Sequence, residues 1–391
     1  MTFRLMQAAA LMMVAACGSA PSSTAAQTRN EQTSNQRPFT VTEVARFTTP
    51  WAMDFLPRSG VRLTAAALVT EKDGRLWLIN TSTGARQQVS GVPRVKVAGQ
   101  GGLGDVVAHP DFAGNQRVYL SYAEAGPSGT SGAAVGYGRL ILGGGQPRIE
   151  GFKVIWRQSP KVTGNGHFGH RIAFAPDGSM FVSSGEREKM APAQDLRSSL
   201  GKILRLTAEG APAPGNPFND PRADSTRDPA IWSYGHRNAL GIAFAADGRL
   251  WSSEMGPQGG DEFNLILPGR NYGWPSASYG SHYGGGGIPD QHRSRGFEEP
   301  KLWWSRSISP GSLLIYTGNL FPQWKGDALI GALSGESLIR VDIEGDRASK
   351  ADRWPMGERI RAVDQGPRGE VYLLEDGGRL LRLEPAGQTR R

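Results

Sequence analysis

A single cysteine, Cys17, occurs in the 391 residues. A disulfide within the chain is therefore excluded, and so is a cysteine-rich metal cluster. Long apolar runs are missing as well. The stretch from Ala8 to Ala16 falls short of the roughly 20 apolar residues that cross a bilayer. Long helical patterns of apolar residues are scarce. The net charge is +8, yet no run of five or more Lys and Arg occurs. The basic balance thus reads as a solvated surface and not as a nucleic-acid tail, though it suits a small polyanionic ligand.

What is present begins at the N-terminus. Arg4, the short apolar stretch and small residues before a cut site make an export signal. Val14-Ala15-Ala16-Cys17 resembles a bacterial lipobox, which implies cleavage before Cys17 and a lipid on that residue. An ordinary signal peptide cut near Ala25-Ala26 is the alternative. Gly18 after the cysteine carries no inner-membrane retention signal, so the expected address is the periplasm, on the outer membrane. Residues 18–37 are rich in Ser, Thr, Ala, Gln and Asn and lack apolar periodicity, as a flexible tether does. The expected organisation is a signal peptide at 1–16, a lipid-anchored tether at 17–37 and one domain at 38–391.

Within that domain one phrase recurs: an apolar strand, a turn built on Asp-Gly or its like, and a second alternating strand. Asp73-Gly74, Asp177-Gly178 and Asp247-Gly248 are its clear copies. Looser ones lie at Pro110-Asp111, between Gly331 and Leu338, and at Gly366-Pro367-Arg368-Gly369. Asp-Gly between alternating runs is a strong hairpin signal because these turns need φ > 0. Six phrases over roughly 350 residues allow about 58 residues each, more than a four-stranded blade needs. The pattern predicts an all-β, six-bladed β-propeller with long rim loops, against a sandwich or two small β domains. Stretches 126–150, 207–229, 255–300 and 344–357 interrupt the repeat and are expected as loops on one rim.

Three segments carry candidate chemistry. Gly164-Asn165-Gly166-His167-Phe168-Gly169-His170-Arg171 sets two histidines among glycines at a strand mouth, where a histidine can accept a proton near neutral pH. Gly235-His236-Arg237-Asn238 offers a donor fork and an amide for a carboxylate or a quinone oxygen. Glu254 to Pro275 mixes carboxylates and Gly-rich backbone, a donor set that Ca²⁺ accepts, although the EF-hand spacing is absent.

These runs stand in the order of a known family. Pro50-Trp51-Ala52-Met53-Asp54-Phe55-Leu56-Pro57, Gly99-Gln100-Gly101-Gly102-Leu103-Gly104, the His167 run, Gln194-Asp195-Leu196, Asn216-Pro217-Phe218, Gly235-His236-Arg237-Asn238, Gly256-Pro257 through Pro275, and Arg359-Ile360-Arg361 resemble the soluble glucose/sorbosone dehydrogenases. Among these the chain is most similar to the aldose sugar dehydrogenases. The resemblance implies pyrroloquinoline quinone (PQQ) and Ca²⁺ as cofactors, an aldose as substrate, and a quinone or cytochrome as external electron acceptor. It implies His167 as general base. Gln100, Arg237, Asn238, Arg359 and Arg361 would hold PQQ. Gly256 and Pro257 would bind a catalytic Ca²⁺ through their carbonyls, and Glu262 and Tyr272 a structural one.

One departure stands out. The family carries a Lys after Gly-Ala-Leu, where this chain has Ser334. That loss favours a second reading, a propeller that binds sugar or cell-wall material without turnover. A metal-dependent lactonase is a third. It needs several carboxylates converging on one metal, and the sequence offers only Glu254, Asp261 and Glu262.

Overall fold

Strand residues here alternate between two cores, not between core and solvent. In Val371–Glu375, Val371 and Leu373 pack with Trp354 and Leu381 on one side, while Tyr372 and Leu374 pack with Ala67 and Val69 on the other. Burial on both faces explains why such strands read as near-continuous apolar runs. The computed structural model describes residues 32–33, 36–57, 65–220 and 226–387. Cys17 lies outside them.

Six four-stranded antiparallel meanders form the blades of a propeller, the fifth extended by one added strand. Their innermost strands are Pro50–Phe55, Leu103–Ala108, Gly169–Phe174, Ala239–Phe244, Pro310–Ile315 and Ile360–Gln365. Each touches the next, and the last returns to the first. One apolar slab fills each of the six gaps between neighbouring blades. Closure comes from the N-terminal side: Phe39–Arg46 pairs with Arg379–Pro385 as the outer strand of the sixth blade. Gln32–Thr33, within the expected tether, pairs in parallel with Asp352 and Arg353 of the fifth blade. Among the described residues the only α-helix is Phe112–Asn115.

The ring and its blade count agree with the repeat, but the turns occupy two registers. In blades two, three, four and six the phrase joins the first strand to the second. In blades one and five it joins the second to the third. Two of the expected loops are largely strands, and 255–300 contains the strand Asp261–Ile266. Ser131–Ile141 and Arg148–Arg157 fill most of 126–150, and Arg347–Pro355 fills most of 344–357. The first misleads because of its glycines. A Cβ at Gly138 would lie 2.4 Å from Ile149 Cγ2, so glycine serves close strand packing there. The second is an outer strand of mostly polar residues, which lacks an apolar alternation.

All six inner strands have a register irregularity within their first residues. Bulges re-aim side chains at a strand mouth. Because strands in a meander alternate in direction, these mouths share one face with the loops joining second to third strands. The 207–229 loop joins a third strand to a fourth, so it leaves from the opposite face. The 267–301 segment starts there too. It climbs past Tyr234, where Tyr272 N–H donates to Tyr234 O at 2.9 Å, and reaches the mouth, where Ser281 pairs with Gln258.

Candidate active site

The two candidate histidines lie three residues apart in a left-handed stretch, with φ of 47° at His167, 67° at Gly169 and 58° at His170. This backbone is held on several sides. Gln100 Oε1 accepts His167 N–H at 2.8 Å, and Asn238 Oδ1 accepts Gly169 N–H at 3.1 Å. Arg187, fully buried, donates to the carbonyls of Gly166, Gly164 and Ser131 and lies 3.7 Å over the Phe168 ring. Gly185 is required next door, since a Cβ there would sit 2.1 Å from His167 O.

Their chemistry differs. His170 stacks on Trp51 at 4.9 Å, and its Nδ1 is 2.7 Å from Ser121 Oγ. Burial, helped by the Arg171 charge, pushes its pKa down to about 3, so it stays neutral. His167 Nδ1 lies 2.5 Å from Glu186 Oε1. A carboxylate accepting the Nδ1 proton selects the tautomer whose Nε2 can take another. Burial opposes the Glu186 charge, but the His167 hydrogen bond and charge, the Met190 N–H and Arg237 outweigh it, and its pKa falls. Glu186 is invisible in sequence reasoning. It follows the strand Met180–Ser184 in a loop, and nothing local marks it as the partner of a residue 19 positions earlier.

Two cavities open at this mouth. One, about 550 Å³, is lined by His167, Glu186, Gln100, Arg237, Trp274 and Tyr283. The other, about 390 Å³, is lined by Gln100, Trp51, Lys72, Ser309, Arg359 and Arg361. Gln100 belongs to both. Arg359 and Arg361 share one carboxylate: Arg359 Nε is 2.9 Å from Asp376 Oδ2, and Arg361 Nε is 2.7 Å from Oδ1. Burial works against that carboxylate, yet the two guanidiniums hold its pKa below the usual range.

Glu254 organises the next segment. Its Oε1 accepts the N–H groups of Arg237 and Asn238, and its Oε2 meets His236 Nδ1 at 2.9 Å. Arg237 and Asn238 are thereby fixed, while Arg237 Nε and Asn238 Nδ2 are buried without a partner among the described residues. Arg237 lines the His167 cavity, and an idle guanidinium donor there fits an anionic, oxygen-rich ligand such as PQQ.

Gly256, Pro257, Glu262 and Tyr272 meet around one small hollow of about 10 Å³, together with Glu254. A hollow of that size holds a single ion or water. Asp261 spends its carboxylate on Gly256 N–H at 2.8 Å and on the Ile308 and Ser309 N–H groups at 2.7 Å each. The Tyr272 hydroxyl donates to Leu265 O at 2.6 Å and accepts Leu267 N–H, which leaves its carbonyl. Burial, with the Glu254 charge, pushes Glu262 up to about 8, crowding that a cation would relieve. Among the described residues no three His, Cys, Asp or Glu side chains converge as a metal site. An ion here would need backbone oxygens, as hard cations accept.

A six-bladed propeller with a carboxylate-held histidine and a cationic cavity at one mouth belongs with the sugar-oxidising propellers. The chain is a member of the glucose/sorbosone dehydrogenase family: the family model described as Glucose / Sorbosone dehydrogenase matches residues 47–382. It is 39% identical over 343 residues to the aldose sugar dehydrogenase YliI of Escherichia coli K12, covering 86% of this chain and 90% of that one. The apo-form structure of the soluble aldose sugar dehydrogenase from Escherichia coli superposes with a TM-score of 0.83 at 38% identity, over 89% of this chain and 99% of the other. The PQQ-bound aldose sugar dehydrogenase of Streptomyces coelicolor gives 0.70 at 29%, over 90% and 99%.

Proposed function

We propose that this protein oxidises aldose sugars at the anomeric carbon to lactones, with PQQ and Ca²⁺ at the mouth. The observation that carries the reading is the His167–Glu186 pair in a cavity that adjoins the arginine-lined one through Gln100. Glu186 holds the Nδ1 proton, and His167 Nε2 takes the proton of the anomeric hydroxyl as that carbon becomes the lactone carbonyl. Arg359, Arg361, Arg237, Asn238 and Gln100 hold and orient the cofactor. When bound, PQQ supplies the two-electron acceptor for the sugar's hydride, and Ca²⁺ the Lewis acid beside it. Gly256, Pro257, Glu262, Tyr272 and Glu254 supply the ion's oxygens.

The address belongs to the same reading. A lipid on Cys17 and a tether at 17–37 keep the ring at the periplasmic face of a membrane, with a quinone or cytochrome as electron acceptor. The alternative, a binding propeller without turnover, draws on Ser334, which is neutral and 2.7 Å from Ser309 Oγ. One experiment separates them. The mature chain is loaded with PQQ and Ca²⁺, and dye reduction is followed with a panel of aldoses. Reduction together with a rise in melting temperature on adding PQQ is expected. Absence of both effects would overturn the proposal, and sugar binding without reduction would favour the alternative.

A further inference from the structure

The charge balance of the arginine-lined cavity leaves one cation unexplained. Arg359 and Arg361 face Asp376, two positive charges over one negative. Ser334, at the place of the family lysine, adds none. Its Oγ stays within a serine group, 2.7 Å from Ser309 Oγ and 3.3 Å from Ser307 O. Lys72 lines the same cavity from the hairpin that joins the second and third strands of blade one.

Lys72 is well placed and unspent. Its N–H donates to Thr49 O at 2.8 Å, and its carbonyl accepts Leu103 N–H at 3.1 Å, so its backbone is tied to two inner-strand mouths. A Cβ on Gly102 would lie 2.0 Å from Lys72 O and 2.7 Å from its Cγ, so the stem packs on the entry of blade two. The neighbouring carboxylates are committed elsewhere. Glu71 accepts Arg75 Nε at 2.9 Å, Trp77 Nε1 at 2.6 Å and Thr49 N–H at 3.1 Å. Asp73 pairs with Arg75. Asp376 is shared by the two arginines. No ion pair engages the Lys72 ammonium among the described residues. An ammonium held by its backbone at a cavity that already carries excess positive charge suits an anionic ligand.

We propose that Lys72 supplies the third cation for the carboxylates of PQQ, taking over from blade one the charge that Ser334 lacks on blade five. This rests on the PQQ reading above and names the residue that completes it. PQQ is titrated into the Ca²⁺-loaded mature protein and binding is read by fluorescence quenching at two salt concentrations, without any sugar. Lys72→Met should weaken binding about ten-fold or more and reduce its salt dependence, with Lys72→Arg within about three-fold of the parent. Adding Ser334→Lys to Lys72→Met should restore most of the affinity. Lys72→Gln repeats the test if the Met variant melts early without PQQ. Parent-like affinity and salt dependence in a folded Lys72→Met or Lys72→Gln protein would overturn the inference. A parent protein that does not bind PQQ would overturn the cofactor reading itself.

Discussion

The two ends of the central channel are lined by ionisable groups of opposite sign. The mouth presents Arg359, Arg361 and Lys72 against Asp376. The far half, a cavity of about 240 Å³, presents Asp54, Asp105 and Asp364 against Arg171. Arg171 is already committed to Asp105 at 3.0 Å and to the carbonyls of Leu240 and Gly311. Between them lies Trp51, stacked on His170 and 4.0 Å from the Arg171 guanidinium. Arg361 and Asp364 stand on one strand, three residues apart. At the mouth, Arg359 and Arg361 hold the shared Asp376 carboxylate below the usual range, so it stays ionised. The far half lowers its charge by holding protons: burial and the Asp105 charge push Asp54 up to about 7, and burial and the Asp54 charge push Asp364 well above the usual range. The mouth's excess positive charge suits an anionic ligand, while the far carboxyls relieve their mutual repulsion by protonation.

Breaking the mouth should therefore cost function, and breaking the far half should not. His167→Ala should lower kcat by about 10²–10⁴-fold with PQQ still bound, the usual contribution of a positioned general base. Asp54→Asn should leave kcat within about two-fold in the same dye assay. Turnover retained in the His167 variant would show that the proton goes elsewhere. Next in size is Arg361→Ala. Removing a charged donor from a carboxylate contact should raise the PQQ Kd by about 10–100-fold in the quenching titration. Glu186→Gln keeps the shape but loses the charge that fixes the His167 tautomer. A fall in kcat of about ten-fold with KM little changed is expected, and an unchanged kcat would make Glu186 a loop brace only.

The sequence made the ring legible and the site only in part. Asp-Gly turns mark three of the six hairpins because φ > 0 must be supplied locally, at Gly74, Gly178 and Gly248. Blade register was less legible, since in blades one and five the first connection is long and the tight turn falls one hairpin later. His167, Arg237, Asn238, Arg359 and Arg361 could be named because they sit in runs that resemble a family. Glu186, Asp376 and Lys72 could not. Each acts across blades or loops, and the ring, not any spacing, brings residues 72, 186 and 376 to one mouth. The choice between His167 and His170 also needed three dimensions: one meets a carboxylate, the other a tryptophan and a serine.

The smallest expected effect tests the far half directly. Asp54 has a folded-state pKa of about 7 against an ordinary 3.8. Between those values the folded protein keeps a proton that the unfolded chain has lost. Stability from this group is thus greatest at low pH, falls as pH rises through that window and levels off above about 7. Asp54→Asn keeps an oxygen for the Ala108 N–H, which Asp54 Oδ2 accepts at 2.6 Å, and removes the titration. It also relieves Asp364 of a like charge. The parent should lose about 1 kcal/mol relative to the variant between pH 5 and pH 8, since Asp54 is only partly buried, or about 2 °C in Tm. Melting curves of the two proteins across that range decide it. Parallel Tm profiles would mean that the far carboxyls stay ionised, and the contrast between a charged mouth and a proton-quenched far half would fall.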